Sequence, residues 1–241
     1  MKIIIKRRSP CGIASVDSLA GVSPMLLNDY IVAASDYVMQ SIGLTDSQKK
    51  RAQIQLGDAL ARLIAQEVEA QCAESKDLIV GEKMILGALR GAQSDVTSLG
   101  ETDGVRLAVE IKPVYLAVGR AIWNRFGDIR SFAVNVHLKF PFAVVGGIMP
   151  LPTIDWYKDR GGTWQQRSTT NLIDRLCRRF DSIGMRRNDG DPVHALEAVC
   201  VLAFDPNTQS LHPHYPGAGS FLQFNSFIQK MAEMFESRFV Y

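Results

Sequence analysis

The chain of 241 residues is 46% hydrophobic and 22% charged, and its formal net charge is +2 at pH 7. These values exclude a wholly disordered chain, a collagen and a coiled coil. The net charge is too small to indicate nucleic-acid binding, so an anionic partner would need a local basic surface. There is no run of about 18 apolar residues, and the first residues lack the apolar core of a signal peptide. We therefore expect a cytoplasmic protein with no membrane segment.

Two common kinds of functional site are not indicated by the sequence. Cys11, Cys72, Cys177 and Cys200 are far apart, with no C-x-x-C pair and no histidine at zinc-ligand spacing. There is also no G-x-x-x-x-G-K-[ST] motif, so we expect no ATP-driven activity.

The N-terminal third is predicted to be helical. Helices are expected over residues 25–42, from the capping box Thr45–Gln48 to about Cys72, and over residues 77–90.

The apolar pattern then changes from helical to alternating. It predicts two strands, Asp95–Leu99 and Val105–Lys112, joined by a turn with Asp103 and Gly104 at its centre. The order of elements favours one α/β domain around a mixed sheet. The remaining predicted elements are a helix over 116–136, a buried strand over 142–149, a loop over 150–162, a basic helix over 170–180, a strand over 196–204, a loop over 205–219 and a helix over 221–239.

The hairpin register predicts which side chains lie together. With Asp103 and Gly104 in the two central turn positions, Asp95 faces Lys112 across the strands. Side chains alternate along a strand, so Glu110 shares the face of Asp95 and Lys112, and the opposite face is apolar. Two carboxylates and one ammonium are thus predicted to converge.

Such a group has a workable chemistry. Two close carboxylates favour a hard divalent cation with oxygen ligands, Mg²⁺ before Zn²⁺. An adjacent lysine could orient or deprotonate a water and stabilise the charge that develops on phosphorus. The alternative is an exposed cross-strand salt bridge between Asp95 and Lys112.

The pattern of Asp95, a hairpin turn and then Glu110-Ile111-Lys112 resembles the core of the PD-(D/E)xK nuclease superfamily, over roughly residues 75–145. This superfamily includes most type II restriction endonucleases and several repair nucleases. Ser94 stands where the motif has proline. The resemblance implies a restriction-endonuclease-like α/β fold with a mixed central β-sheet flanked by helices. It would form one nuclease domain over 1–241, with a helical N-terminal part (1–75), a catalytic core (about 75–205) and a C-terminal helix (220–239).

The resemblance also implies the roles of these residues. Asp95, Glu110 and Ile111 would bind Mg²⁺, and Lys112 would serve the attacking water. A fourth catalytic candidate is Glu82, which falls on the apolar stripe of the helix predicted over 77–90; alternatively its head simply reaches water. Weaker candidates are Glu67 and Glu69.

DNA contacts require basic surfaces beside this site. The helix after Lys112 carries polar residues off its apolar stripe, and the stretch Trp156–Arg187 holds eight basic residues against three aspartates. The alternative for both segments is a solvated face. The candidate DNA-binding residues are Arg120, Asn124, Arg125 and Arg130 on that helix, Trp164, Gln165, Gln166 and Arg167 in a Gly-rich loop, and Arg178 and Arg179 on the basic helix.

The resulting hypothesis is a Mg²⁺-dependent type II restriction endonuclease that cleaves double-stranded DNA, as a homodimer on palindromic sites. Two alternatives stay open: a structure-specific repair or recombination nuclease, and a non-catalytic DNA-binding module that keeps the nuclease fold.

Overall fold

A computed structural model describes residues 26–73, 75 and 78–240. Most predicted helices and strands occur within two or three residues of their expected bounds. The elements of the described residues are α1 (Leu27–Gln40), a 3₁₀ turn (Ser41–Gly43), α2 (Asp46–Gln71), β1 (Ile79–Leu86), β2 (Gly91–Gly100), β3 (Gly104–Ile111), α3 (Val118–His137), β4 (Val144–Pro152), β5 (Ile154–Lys158), β6 (Trp164–Ser168), α4 (Thr170–Ile183), β7 (Ala198–Asp205), β8 (Ser210–Leu211) and α5 (Phe224–Phe239).

Six strands form a mixed sheet in the order β1-β2-β3-β4-β7-β8. The pairs β3/β4 and β4/β7 are parallel, and the other neighbours are antiparallel. The helices α3 and α4 lie in the two crossovers between parallel strands, as parallel pairing requires. The predicted mixed sheet flanked by helices is thereby confirmed.

The helices cover both faces of this sheet. One apolar cluster joins α1, α2 and α5 to side chains such as Leu107 and Val109 of β3. A second cluster joins α3 and α4 to the other face, through residues such as Ala108. Strand β3 is therefore buried on both sides, and its last residues, Glu110 and Ile111, are buried as well.

The helix predicted over 77–90 is wrong, because this segment forms β1 and the turn into β2. Ile79–Leu86 pairs antiparallel with β2, and only Ile85 of this strand is buried. The apolar spacing matched a helix, but backbone pairing with β2 overrides that local preference. Glu82 consequently lies on a strand and not on a helical stripe.

The predicted hairpin register is wrong by two residues. The turn comprises Glu101–Asp103, and Gly104 follows it with φ of 79°, so Gly100 pairs with Gly104 and Val96 with Val109. The left-handed Gly104 is typical of a three-residue hairpin loop. Since side chains alternate with a period of two, this even shift leaves Asp95 and Glu110 on their predicted face. Nearer the turn, an irregularity between Ser98 and Leu99 shifts the register again, and Val105 packs in the cluster of Ala108 rather than that of Leu107.

The loop predicted over 150–162 is also wrong. Strand β4 continues to Pro152, and β5 pairs antiparallel with β6 to form a two-stranded ribbon outside the main sheet. The sequence Trp164–Arg167 is accordingly a strand and not part of a Gly-rich loop. Five residues separate β5 from β6, and the Gly161-Gly162 pair in that turn was the misleading signal.

Candidate active site

Asp95, Glu110 and Lys112 meet where β2 separates from β3, and we call these three residues the acidic site. Extending the Val96–Val109 pairing by one residue sets Asp95 opposite Glu110. The Ile111 N–H donates to Asp95 Oδ2 at 2.6 Å. Lys112 Nζ forms an ion pair with Glu110 Oε1. The three side chains therefore converge, although Lys112 pairs with Glu110 rather than with Asp95.

A bulge in β1 brings Glu82 to the acidic site. Val80 pairs with Val96 and Lys83 with Ser94, so Gly81 and Glu82 together lie opposite the single residue Asp95. Gly81 has φ of 100°, a conformation that favours glycine, and such bulges redirect a neighbouring side chain. Burial is the main cause of the raised pKa of Asp95, and the charge of Glu82 raises it further.

Burial raises the pKa of both carboxyl groups in the acidic site. Desolvation is the main cause for Asp95, against the opposing effects of the Ile111 N–H and of Lys112. Glu110 is only 6% exposed, and burial raises its pKa to about 7 even though Lys112 opposes the shift. One ammonium is thus too little to compensate two desolvated carboxylates, and an added cation would stabilise their charged forms.

The donor set of the acidic site fits Mg²⁺. This ion prefers oxygen ligands and is commonly held by one or two carboxylates while it keeps several waters. Asp95 and Glu110 supply two carboxylates, and the Ile111 carbonyl lies on the chain between Glu110 and Lys112. Across the described residues no group of three or more His, Cys, Asp or Glu side chains is arranged to hold a metal ion. A bound Mg²⁺ would therefore depend on main-chain and water ligands as well.

The raised pKa of Glu110 predicts a pH-dependent cost to stability. Because the folded-state pKa is about 7 and the ordinary value is 4.5, the metal-free protein should lose stability as pH rises through this window. We expect Glu110→Gln to be about 1–3 kcal/mol more stable than the parent at pH 8, and not more stable at pH 4.5. Urea unfolding in EDTA at both pH values measures this difference.

The exposed Glu236 supplies the matched control. Glu236→Gln on α5 should change stability by less than about 0.5 kcal/mol at either pH. An equal stability of Glu110→Gln and the parent at pH 8 would contradict the cost assigned to the buried carboxylate.

A cleft of about 280 Å³ opens beside Lys112. Its lining includes Lys112, Tyr115, Gln53 of α2 and Arg125 of α3. The Tyr115 hydroxyl is hydrogen-bonded to the buried Tyr30 hydroxyl of α1 at 2.6 Å. Sequence reasoning missed Gln53 and Tyr115, because no short motif marks residues that come together from distant elements.

The predicted polar face of α3 divides into available and occupied side chains. Arg120 and Asn124 are exposed, and neither side chain has a hydrogen bond or ion pair among the described residues. Arg125 Nη1 is 3.0 Å from Asp128 Oδ2, and Arg130 lies over the ring of Phe126 on the same helix. Arg120 and Asn124 are therefore the better placed of the four candidates for contacts with a partner.

Several arginines of the basic stretch Trp156–Arg187 are engaged with neighbouring side chains or buried. Arg178 is 77% exposed and forms an ion pair with Asp174 at 2.8 Å, whereas the Arg179 guanidinium stacks 4.1 Å above Trp123 of α3. Arg186, counted with the basic stretch, is fully buried. It therefore belongs to the interior and cannot contribute to a basic surface.

Glu197 holds a buried polar network that sequence reasoning missed. Its carboxylate accepts from Arg186, Arg238, the Val145 N–H and His137 at 2.9–3.1 Å. Burial would raise the pKa of Glu197, but His137 and Arg238 hold it below its ordinary value. A carboxylate within the strand predicted over 196–204 was the available signal.

The Glu67 and Glu69 candidates lie on α2, the helix that packs against β1 and β2. Glu69 Oε1 accepts from the Leu78 N–H at 3.1 Å. Its contact is therefore local and supports the entry into β1.

Among the described helices, none is long and apolar enough to span a membrane.

Comparisons with known proteins give no match for this chain. No family model, curated protein or solved structure matches it. The functional argument consequently depends on the chemistry of the acidic site and of the surfaces around it.

Proposed function

We propose that the protein is a Mg²⁺-dependent DNA endonuclease of the PD-(D/E)xK type, acting as a type II restriction enzyme. The observation that carries this proposal is the convergence of Asp95, Glu110 and Lys112 at one end of β3, with the Ile111 N–H bound to Asp95. A restriction-endonuclease-like fold, a cytoplasmic location and a homodimer acting on palindromic duplexes belong to the same proposal.

The chain's own residues divide the chemistry among them. Asp95, Glu110 and the Ile111 carbonyl would hold Mg²⁺, which supplies Lewis-acid stabilisation of a phosphate oxygen when bound. The Glu110 carboxylate accepts a hydrogen bond from Lys112 and so holds the Lys112 ammonium close to the two carboxylates. Lys112 orients the attacking water and stabilises negative charge on the phosphate. Glu82, opposite Asp95 at the β1 bulge, adds a third carboxylate.

The surface around the acidic site supports a nucleic-acid substrate. Arg125 lines the cleft next to Lys112, and Arg120 and Asn124 are exposed on the same helix. Arg167 of the ribbon meets the start of α3, since a Cβ on Gly119 would lie 3.5 Å from Arg167 Nη2. Arg120 has no ion-pair partner among the described residues and is available to a phosphate, whereas Arg125 and Arg167 would exchange their pairs with Asp128 and Asp155 for phosphate contacts.

Incubation of the protein with plasmid DNA tests the proposal. Discrete fragments in Mg²⁺, and none in EDTA, are expected of a sequence-specific nuclease. Nicks confined to branched or mismatched substrates would favour the structure-specific repair nuclease instead. Binding without cleavage at any Mg²⁺ concentration would favour the non-catalytic module. In Ca²⁺, which binds oxygen ligands in looser geometry, we expect binding with little cleavage.

The salt dependence of binding tests the α4 surface. Each phosphate contact contributes about −0.9 to the slope of log K against log salt, so replacing both Arg178 and Arg179 with alanine should flatten the slope by up to about 2. We expect binding to cognate and random duplexes to weaken alike. Lys230→Ala on α5 is the control, and its slope should equal the parent's. An unchanged slope in the double variant would mean that Arg178 and Arg179 make no phosphate contacts.

A further inference from the structure

The β5–β6 ribbon is anchored through β5 and exposed along β6. All five residues of β6 are exposed. Near the base, Arg167 forms an ion pair with the buried Asp155 at 2.8 Å. Midway along the ribbon, Trp156 pairs with Gln166, and its Nε1–H donates to the Val38 carbonyl of α1 at 3.1 Å. The ribbon is therefore held through β5, whereas β6 is exposed.

The ribbon leaves the sheet at the edge that carries the acidic site. It follows β4, and the chain after β3 continues along the second half of β4: Lys112 N–H donates to the Ile148 carbonyl and Val114 N–H to the Pro150 carbonyl, both at 2.9 Å. β3 therefore ends beside Ile148, and β4 runs on from the level of the acidic site toward the ribbon. A duplex positioned for reaction at Lys112 would pass close to the ribbon.

Gln166 is the β6 side chain that is available for a new contact. No hydrogen bond joins its carboxamide to any other part of the described chain. Each of the other four β6 side chains contacts a neighbour: Trp164 stacks with Lys158 at 5.1 Å, Gln165 bonds Asp159 at 3.3 Å, Arg167 pairs with Asp155 at 2.8 Å and Ser168 bonds Thr170 at 2.8 Å.

The dimensions and chemistry of the ribbon fit one groove of duplex DNA. The major groove of B-DNA is wide enough for a two-stranded β-ribbon, whereas a ribbon enters the minor groove, about 6 Å wide, only if the DNA is deformed. A glutamine carboxamide matches adenine there, because its oxygen accepts from N6 and its nitrogen donates to N7. On the basis of the nuclease function proposed above, we propose that the β5–β6 ribbon enters the major groove and that Gln166 contacts an adenine of the recognition sequence.

Selection from a pool of random duplexes, in Ca²⁺ without Mg²⁺, tests this proposal. The parent should enrich sites with adenine at one position, and Gln166→Ala should lose the preference at that position alone. Affinity of this variant for the enriched site should fall by about 5- to 150-fold. Gln166→Glu should shift the preference toward cytosine, whose N4 donates to a carboxylate. Gln229→Ala, which removes an exposed amide on α5, should select the parent's sequences.

A base analogue identifies the contacted atom. Replacing the selected adenine with 7-deaza-adenine removes the N7 acceptor and leaves Watson–Crick pairing intact. Binding by the parent should weaken, whereas binding by Gln166→Ala should not change further. Equal weakening in both proteins would overturn the assignment of Gln166 to this base.

The remaining outcomes separate this inference from the nuclease proposal. If Gln166→Ala selects the parent's sequences, or if Gln165→Ala alone relaxes the adenine position, the Gln166 assignment is overturned even where Mg²⁺-dependent cleavage is observed. Tighter binding of the parent to one strand of the enriched site than to its duplex would also overturn it. If adenine selection depends on Gln166 but no cleavage occurs in Mg²⁺, the ribbon inference stands and the nuclease proposal fails.

Discussion

Asp95→Ala, Glu110→Ala and Lys112→Ala are each expected to reduce Mg²⁺-dependent DNA cleavage by roughly 10³-fold or more. The reason is that each substitution removes a different part of one site: a carboxylate bound to the Ile111 N–H, the buried carboxylate paired with Lys112, or the ammonium itself. Duplex binding in Ca²⁺ and the far-ultraviolet circular dichroism spectrum should stay close to those of the parent for Asp95→Ala. Single-turnover cleavage of a labelled plasmid measures the loss.

A charged residue far from the acidic site provides the comparison. Glu236→Ala on α5 should cleave at the parent's rate, because its side chain is exposed and shares no contact with the site. Parent-like cleavage by any two of the three acidic-site variants would rule out the assignment. Retained folding is essential to the test, because Glu110 is buried between two layers of helices.

Glu197→Ala is expected to destabilise the protein by about 3–5 kcal/mol, which is the usual effect of removing one partner from a buried ion pair. Arg186 and His137 are fully buried, and both contact the Glu197 carboxylate. Without it, their hydrogen-bonding groups and the charge of Arg186 stay desolvated and uncompensated. Urea unfolding at pH 7 measures the change in the free energy of unfolding.

The pH dependence gives an independent measurement of the same network. The folded-state pKa of Glu197 lies below its ordinary value of 4.5, so its stabilising contribution is present above that pH and is lost as pH falls through the depressed pKa. The acid side of the stability profile should therefore be steeper in the parent than in Glu197→Ala.

Glu233→Ala, at an exposed ion pair with Lys230, should cost less than about 1 kcal/mol. A similarly small loss for Glu197→Ala would contradict the role assigned to the network.

The sequence alone determined the elements whose signals are local. The capping box Thr45–Gln48 correctly begins α2, and the spacing of apolar residues correctly predicts α3. It also determined that Asp95, Glu110 and Lys112 share a face, because strand alternation depends on parity and tolerates the two-residue error in register. The predicted convergence in the acidic site therefore occurs despite the wrong turn.

Tertiary structure decided the features that depend on contacts between distant segments. Residues 79–86 have a helix-like apolar pattern, and only pairing with β2 makes them a strand and brings Glu82 to Asp95 through a bulge. The charge of Arg186 was readable in the sequence, but its burial against Glu197 depends on how β7 and α5 pack. Local propensities amount to tenths of a kcal/mol per residue, whereas strand pairing and burial add over many residues, and for these segments the long-range contacts dominate.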